Sequence, residues 1–100
     1  MKIGLEHLVF IKHQCSEAQY ELGHCHEKGI GTEIINEKAF DLYMQSAEKG
    51  NNKAQRSLAI LYEQDTKRKN IDKAIYWYKK AIENGCQDAK ENLNNLLLNK

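Results

Sequence analysis

The feature that most constrains this chain is that it repeats itself. Ala54, Leu58, Leu61 and Tyr62 are preceded 36 residues earlier by Ala18, Leu22, Cys25 and His26, and followed 35 residues later by Ala89, Leu93, Leu96 and Leu97. Each set falls at i, i+4, i+7 and i+8, which on a helix spans about 100° of arc and so forms one apolar stripe. A second pattern recurs 35 residues apart: Lys38, Ala39, Tyr43, Ala47 and Gly50 return as Lys73, Ala74, Tyr78, Ile82 and Gly85. Each unit therefore holds two amphipathic helices, A and B. A single hairpin of this kind cannot bury its own apolar stripe, so units at this period stack.

Local signals place the helix ends. Ser16 to Gln19 and Asn52 to Gln55 read as capping boxes in register, predicting that helix A starts at both places. The first helix A is expected from about Glu17 to Lys28, stopped by Gly29 and Gly31, and the first helix B from about Asn36 to Lys49, with Gly50 just past its end. In the second unit Asp65 to Lys69 replaces the glycine loop, and Asn70 caps a helix from Ile71 to Asn84 before Gly85. The chain divides as 1–15, a degenerate N-terminal helix; 16–51, a first repeat; 52–87, a second; and 88–100, a C-terminal capping helix. Leu5, Leu8, Val9 and Ile11 align with a helix B, which would close the N-terminal end of the stack. Asn92, Asn94, Asn95 and Asn99 give the last helix, expected from Asp88 to about Asn99, the polar surface of a terminal cap.

Composition narrows the function classes. The chain has 15 basic and 14 acidic residues, interspersed, so no basic stripe for nucleic acid is visible. No run approaches the roughly 20 apolar residues of a membrane span, and the N-terminus lacks a cleavage pattern. Proline is absent, which leaves the helices unbroken. Cys15 and Cys86 occupy equivalent places 71 residues apart. Stacked hairpins hold such positions roughly 20 Å apart, too far for a disulfide. Reduced thiols and a cytoplasmic location are the simpler reading.

His13, Cys15, His24, Cys25 and His26 are zinc-ligand types crowded into 14 residues. His24 and His26 lie about 200° apart on a helix and cannot face one ion. Cys25 and His26 stand where the next copy has Leu61 and Tyr62, so a buried thiol and a hydrogen-bonded imidazole are expected, with no metal and no cofactor. Gly23 and Ala59 should let neighbouring helices approach closely, while Tyr43, Trp77 and Tyr78 fill the space between helix B and its neighbours. No nucleophile motif is present, so the chain reads as no enzyme.

With these residues in view, the chain resembles the Sel-1-like repeat, a relative of the tetratricopeptide repeat. Ala18, Leu22, Gly23, Gly29, Gly31, Lys38, Ala39, Tyr43, Ala47 and Gly50 match that pattern in the first unit. Ala54, Leu58, Tyr62, Lys73, Ala74, Trp77, Tyr78, Lys80, Ala81 and Gly85 match it in the second. His26, Ala59, Asp65 and Asn94 depart from it. The resemblance implies an all-α solenoid of αα-hairpins, a tetratricopeptide-like right-handed superhelix of about two repeats with partial flanking helices. It also implies a protein-interaction scaffold whose A helices line a concave face that takes a peptide or helix. On the family alignment that face carries Glu17, Tyr20, His24 and Glu27, then Lys53, Arg56, Ile60 and Glu63, then Glu91 and Asn95. The expected partner is a protein, or a second copy in a homo-oligomer, with no nucleic acid and no membrane engaged by this segment. Two alternatives follow from the resemblance: a regulatory or targeting module of a larger kinase or ubiquitin-ligase pathway protein, and a β-lactamase-like enzyme, whose cysteine pairing within each hairpin this chain lacks.

Overall fold

The computed structural model describes residues 3–29 and 36–98, with the backbone alone for 3–15. The described residues form five helices: α1 (Ile3–Lys28), α2 (Asn36–Glu48), α3 (Asn52–Gln64), α4 (Ile71–Glu83) and α5 (Gln87–Leu98). Each packs on the next in chain order, which makes two hairpins, α1–α2 and α3–α4, followed by a lone helix A. The result is an all-α repeat solenoid, elongated at 57 × 31 × 17 Å.

Alanine and tyrosine alternate through the core. Ala39, Tyr43 and Ala47 come from α2, Ala54, Leu58, Ala59 and Tyr62 from α3, Ala74, Tyr78 and Ala81 from α4, and Ala89, Leu93 and Leu96 from α5. The small residues bring helix backbones close and the large ones fill what remains. Gly23 marks the tightest approach, since a Cβ there would lie 3.0 Å from the Tyr43 ring and 3.3 Å from Leu42 Cβ. Trp77, expected to fill the interior, is only half-buried and packs at the margin of the core.

The turns between helices follow from local chemistry. Gly50 and Gly85 hold φ at +96° and +95°, a left-handed conformation that ends a helix at little cost only with glycine. Asn70 caps α4 by accepting from Lys73 N at 3.0 Å. In the loop before it, Asp65 accepts from Lys67 N at 3.0 Å and pairs with Arg68 at 3.1 Å, and Arg68 lies 4.3 Å over the Phe40 ring.

Three expectations are corrected. The cap of α3 is Asn51, not Asn52: its side chain accepts from Ala54 N at 2.9 Å, because the turn at Gly50 leaves Asn51 extended. Asn52 instead donates to the Asn84 carbonyl at 2.7 Å, and Gln55 is buried, donating to Ala47 O at 2.9 Å and accepting from Asn84 at 2.9 Å. No helix starts at Ser16, since α1 runs through it unbroken. Gln14 stands in the register of Gly50 and Gly85, so the left-handed break is disfavoured and the helix continues. Ser16 then serves through its carbonyl, which accepts a hydrogen bond from Ser46 Oγ. The expected closure by Leu5, Leu8, Val9 and Ile11, and the role of Gly31, lie outside the described side chains and loop.

The third correction concerns the outer flank of α1. Leu22 is 49% exposed, whereas its counterparts Leu58 and Leu93 are 0% and 8% exposed. Ala18 is exposed, and Cys25 and His26 are half-buried where a buried thiol and a hydrogen-bonded imidazole were expected. His26 Nδ1 has no hydrogen-bond partner. In α3 and α5 the same stripe faces the B helix before it, α2 or α4; no described helix precedes α1 to cover its copy.

Each hairpin is tied by a buried tyrosine. Tyr43 OH donates to Glu27 at 2.6 Å and Tyr78 OH donates to Glu63 at 2.6 Å, the same bond in successive units. Burial, and then the neighbouring carboxylate, raise both tyrosine pKa values well above the ordinary 10.0.

Two outcomes follow from this packing. Leu58→Ala should cost roughly 2–5 kcal/mol and Leu22→Ala less than about 1 kcal/mol in chemical denaturation, although the two leucines hold the same repeat position. Equal costs would mean that the outer flank of α1 is covered. The folded chain also keeps the Tyr43 and Tyr78 protons where the unfolded chain has released them. This stability is complete below about pH 10 and declines as pH rises towards the raised folded values. Tyrosinate absorbance should therefore develop late for these two residues and together with unfolding, and Tyr43→Phe with Tyr78→Phe should flatten the alkaline decline.

Candidate protein-binding groove

The A helices α1 and α3 run side by side and enclose a groove of about 270 Å³ between Tyr20, His24, Glu27 and Lys28 on one wall and Arg56, Ser57, Ile60 and Gln64 on the other. A second hollow of about 350 Å³ continues it towards the loops, sharing Glu27, Ile60 and Gln64 and adding Leu61, Asp65 and Thr66. Residues three or four apart on one helix face project in much the same direction, which is why Tyr20, His24 and Glu27 line up, as do Arg56, Ile60 and Glu63.

Core bonds hold several of these side chains in place. Tyr20 is half-buried, with its ring centroid 5.8 Å from that of Tyr43 and 6.3 Å from His24. Glu27 and Glu63 each have one carboxylate oxygen bound by a core tyrosine, so the charge is positioned by a rigid group and not by a mobile chain. Arg56 Nε donates to Asn92 Oδ1 at 2.6 Å, which fixes its guanidinium and links α3 to α5. Ser57 sits close enough to Tyr43 to oppose the rise in its pKa. Ile60 is half-buried at the junction of the two hollows.

Of the ten residues expected on this face, Tyr20, His24, Glu27, Arg56 and Ile60 converge on the groove. Glu63 is half-buried through its bond to Tyr78. Glu17, Lys53, Glu91 and Asn95 are exposed and line neither hollow. Sequence reasoning missed Lys28, Ser57 and Gln64, which carry no distinctive pattern. It also missed the tyrosine–glutamate bonds, although both partners recur from one unit to the next.

The groove offers hydrogen bonds, charge and aromatic surface. Among the described residues no group of three or more His, Cys, Asp or Glu side chains is placed to hold a metal ion. None of the described helices is long and apolar enough to cross a membrane.

Comparison with known proteins supports the same reading. The Sel1 repeat family matches residues 16–51 and 52–86. Among solved structures, the chain is similar to a protective antigen present in uropathogenic Escherichia coli strains and displaying an SLR fold, with 37% identity and a TM-score of 0.79 over 84% of this chain. It is also similar to a Sel1 repeat protein from Oxalobacter formigenes, with 36% identity and a TM-score of 0.76 over 81%. The matches span 18% and 34% of those longer chains. Comparison with curated proteins yields no match. The two matched repeats, the stacked hairpins and the likeness to both solved structures show that this chain belongs to the Sel1 repeat family, whose tetratricopeptide-like repeats serve as scaffolds for protein interaction.

Proposed function

We propose that the groove between α1 and α3 binds a segment of a partner protein, as a peptide or a helix laid across the A helices. The observation that carries this reading is the convergence of Tyr20, His24, Glu27, Arg56 and Ile60 on one groove, with Glu27 already held by the core tyrosine Tyr43 and Arg56 by Asn92 of α5. Side chains fixed before binding lose little entropy on binding. Tyr20 and Ile60 provide apolar contact, Arg56 accommodates a carboxylate, and Glu27 accommodates a cation, so a segment with one apolar anchor between opposite charges fits best. Glu17, Lys53, Glu63, Glu91 and Asn95 form the surrounding polar face, where contacts contribute orientation more than affinity. The setting proposed is cytoplasmic, supported by unpaired thiols at Cys25 and Cys86. Within a longer protein, this domain would act as the docking part.

The test begins with a displayed peptide library selected on the protein. Amide shifts in the presence of the selected peptide should cluster at Tyr20, His24, Glu27 and Ile60. Tyr20→Ala combined with Ile60→Ala should weaken binding by about 2 kcal/mol. Because both side chains also touch the core, thermal melts must confirm that the variant remains folded at the assay temperature. Asp41→Ala with Lys79→Ala, two exposed residues of the B helices, should leave affinity intact. If that pair abolishes binding while the groove pair does not, the interface lies on the B helices instead.

A further inference from the structure

A further cleft lies away from the groove. It measures about 530 Å³ and opens between the end of α2 and the outer side of α4, with Gln55 of α3 among its lining residues. None of its lining residues lines the groove between α1 and α3. We propose that this cleft is a second docking site, and that it takes an acidic segment of a partner protein, with a carboxylate on Lys80 and the Trp77 indole N–H and an adjoining apolar side chain against the Tyr76–Trp77 pair.

Its size suits one or two side chains of a ligand. Gln55 is 1% exposed, and both ends of its amide are already satisfied by Ala47 and Asn84. It is therefore rigid and asks nothing of a ligand. Recognition falls to the other lining residues. Tyr76, an aromatic residue, is 54% exposed, and its ring meets Trp77 edge-on with centroids 5.0 Å apart. A large aromatic surface left open beside a half-buried indole is the form an interface anchor takes.

The polar groups of the lining select the charge of the occupant. Lys80 has no acidic partner among the described residues, and the Trp77 indole N–H has no acceptor there. Lys49 also carries its charge in the lining, where its ammonium group donates to Gln19 at 3.1 Å, and Glu48 is the single carboxylate of the lining. The balance favours a carboxylate over an ammonium, because a cationic ligand would place its charge beside Lys80.

Trp77 is the only tryptophan, so its emission reports on the cleft without a label. The probe is a blocked peptide of alternating glutamate and leucine, with its lysine–leucine counterpart and anionic lipid vesicles as the other arms. The acidic peptide should shift Trp77 emission saturably, and more weakly as salt is raised. Lys80→Glu should weaken it about fivefold or more, and so should Tyr76→Ala, read through the same tryptophan with helix content unchanged. Tyr20→Ala with Ile60→Ala should leave it as in the unaltered protein, which separates this site from the groove. The proposal is overturned by the absence of a saturable shift, by an equal response to the lysine–leucine peptide, by unaltered binding in Lys80→Glu, or by a response to vesicles alone.

Discussion

A buried phenol must find an acceptor for its hydroxyl, and in this protein that requirement organises each hairpin. Tyr43 and Tyr78 are the largest fully buried side chains, and each reaches across from helix B to a glutamate of helix A at 2.6 Å. Without that acceptor the hydroxyl would be buried unsatisfied, which costs on the order of 1–3 kcal/mol. The ring needs space, which Gly23 and Ala59 leave by being small. The same bond holds Glu27 at the edge of the groove, so the interaction that closes the hairpin also positions a charge there.

Position within the stack decides what a given side chain does. Leu22, Leu58 and Leu93 occupy one repeat position and have three different exposures, because the B helix that covers Leu58 is α2, the one that covers Leu93 is α4, and no described helix covers Leu22. The core therefore belongs to contacts between successive helices and not to any unit alone. Bonds between units reinforce this, with Arg56 reaching Asn92 and Gln55 reaching Ala47, while within units Asn52 and Gln55 both reach Asn84 and Ser46 reaches Ser16.

The two sides of the stack differ in kind. The A helices present a groove in which Glu27 is anchored by the core tyrosine Tyr43 and Arg56 by Asn92 of α5. The B helices present a cleft lined by an aromatic pair and lysines, with a satisfied amide behind them. Separate surfaces on one rigid stack suit a scaffold, because two ligands can then be held in a fixed relation.

The sequence by itself determined what depends on spacing and local chemistry. The recurrence of Ala18, Leu22 and Cys25 as Ala54, Leu58 and Leu61 established stacked hairpins, and Asn70, Gly50 and Gly85 marked helix ends, because caps and left-handed glycines act within a few residues of chain. Of the ten residues that the family alignment assigned to the A-helix face, five line one hollow. Tertiary structure decided the rest. Ser16 looked like a helix start, yet it lies inside α1, since a cap acts only where the chain breaks and Gln14 does not favour a break. Cys25 and His26 matched core positions and are half-buried, because burial requires a neighbouring helix that periodicity cannot supply. Tyr43 and Glu27 lie 16 residues apart in the chain, and only the packing of α2 on α1 brings them together.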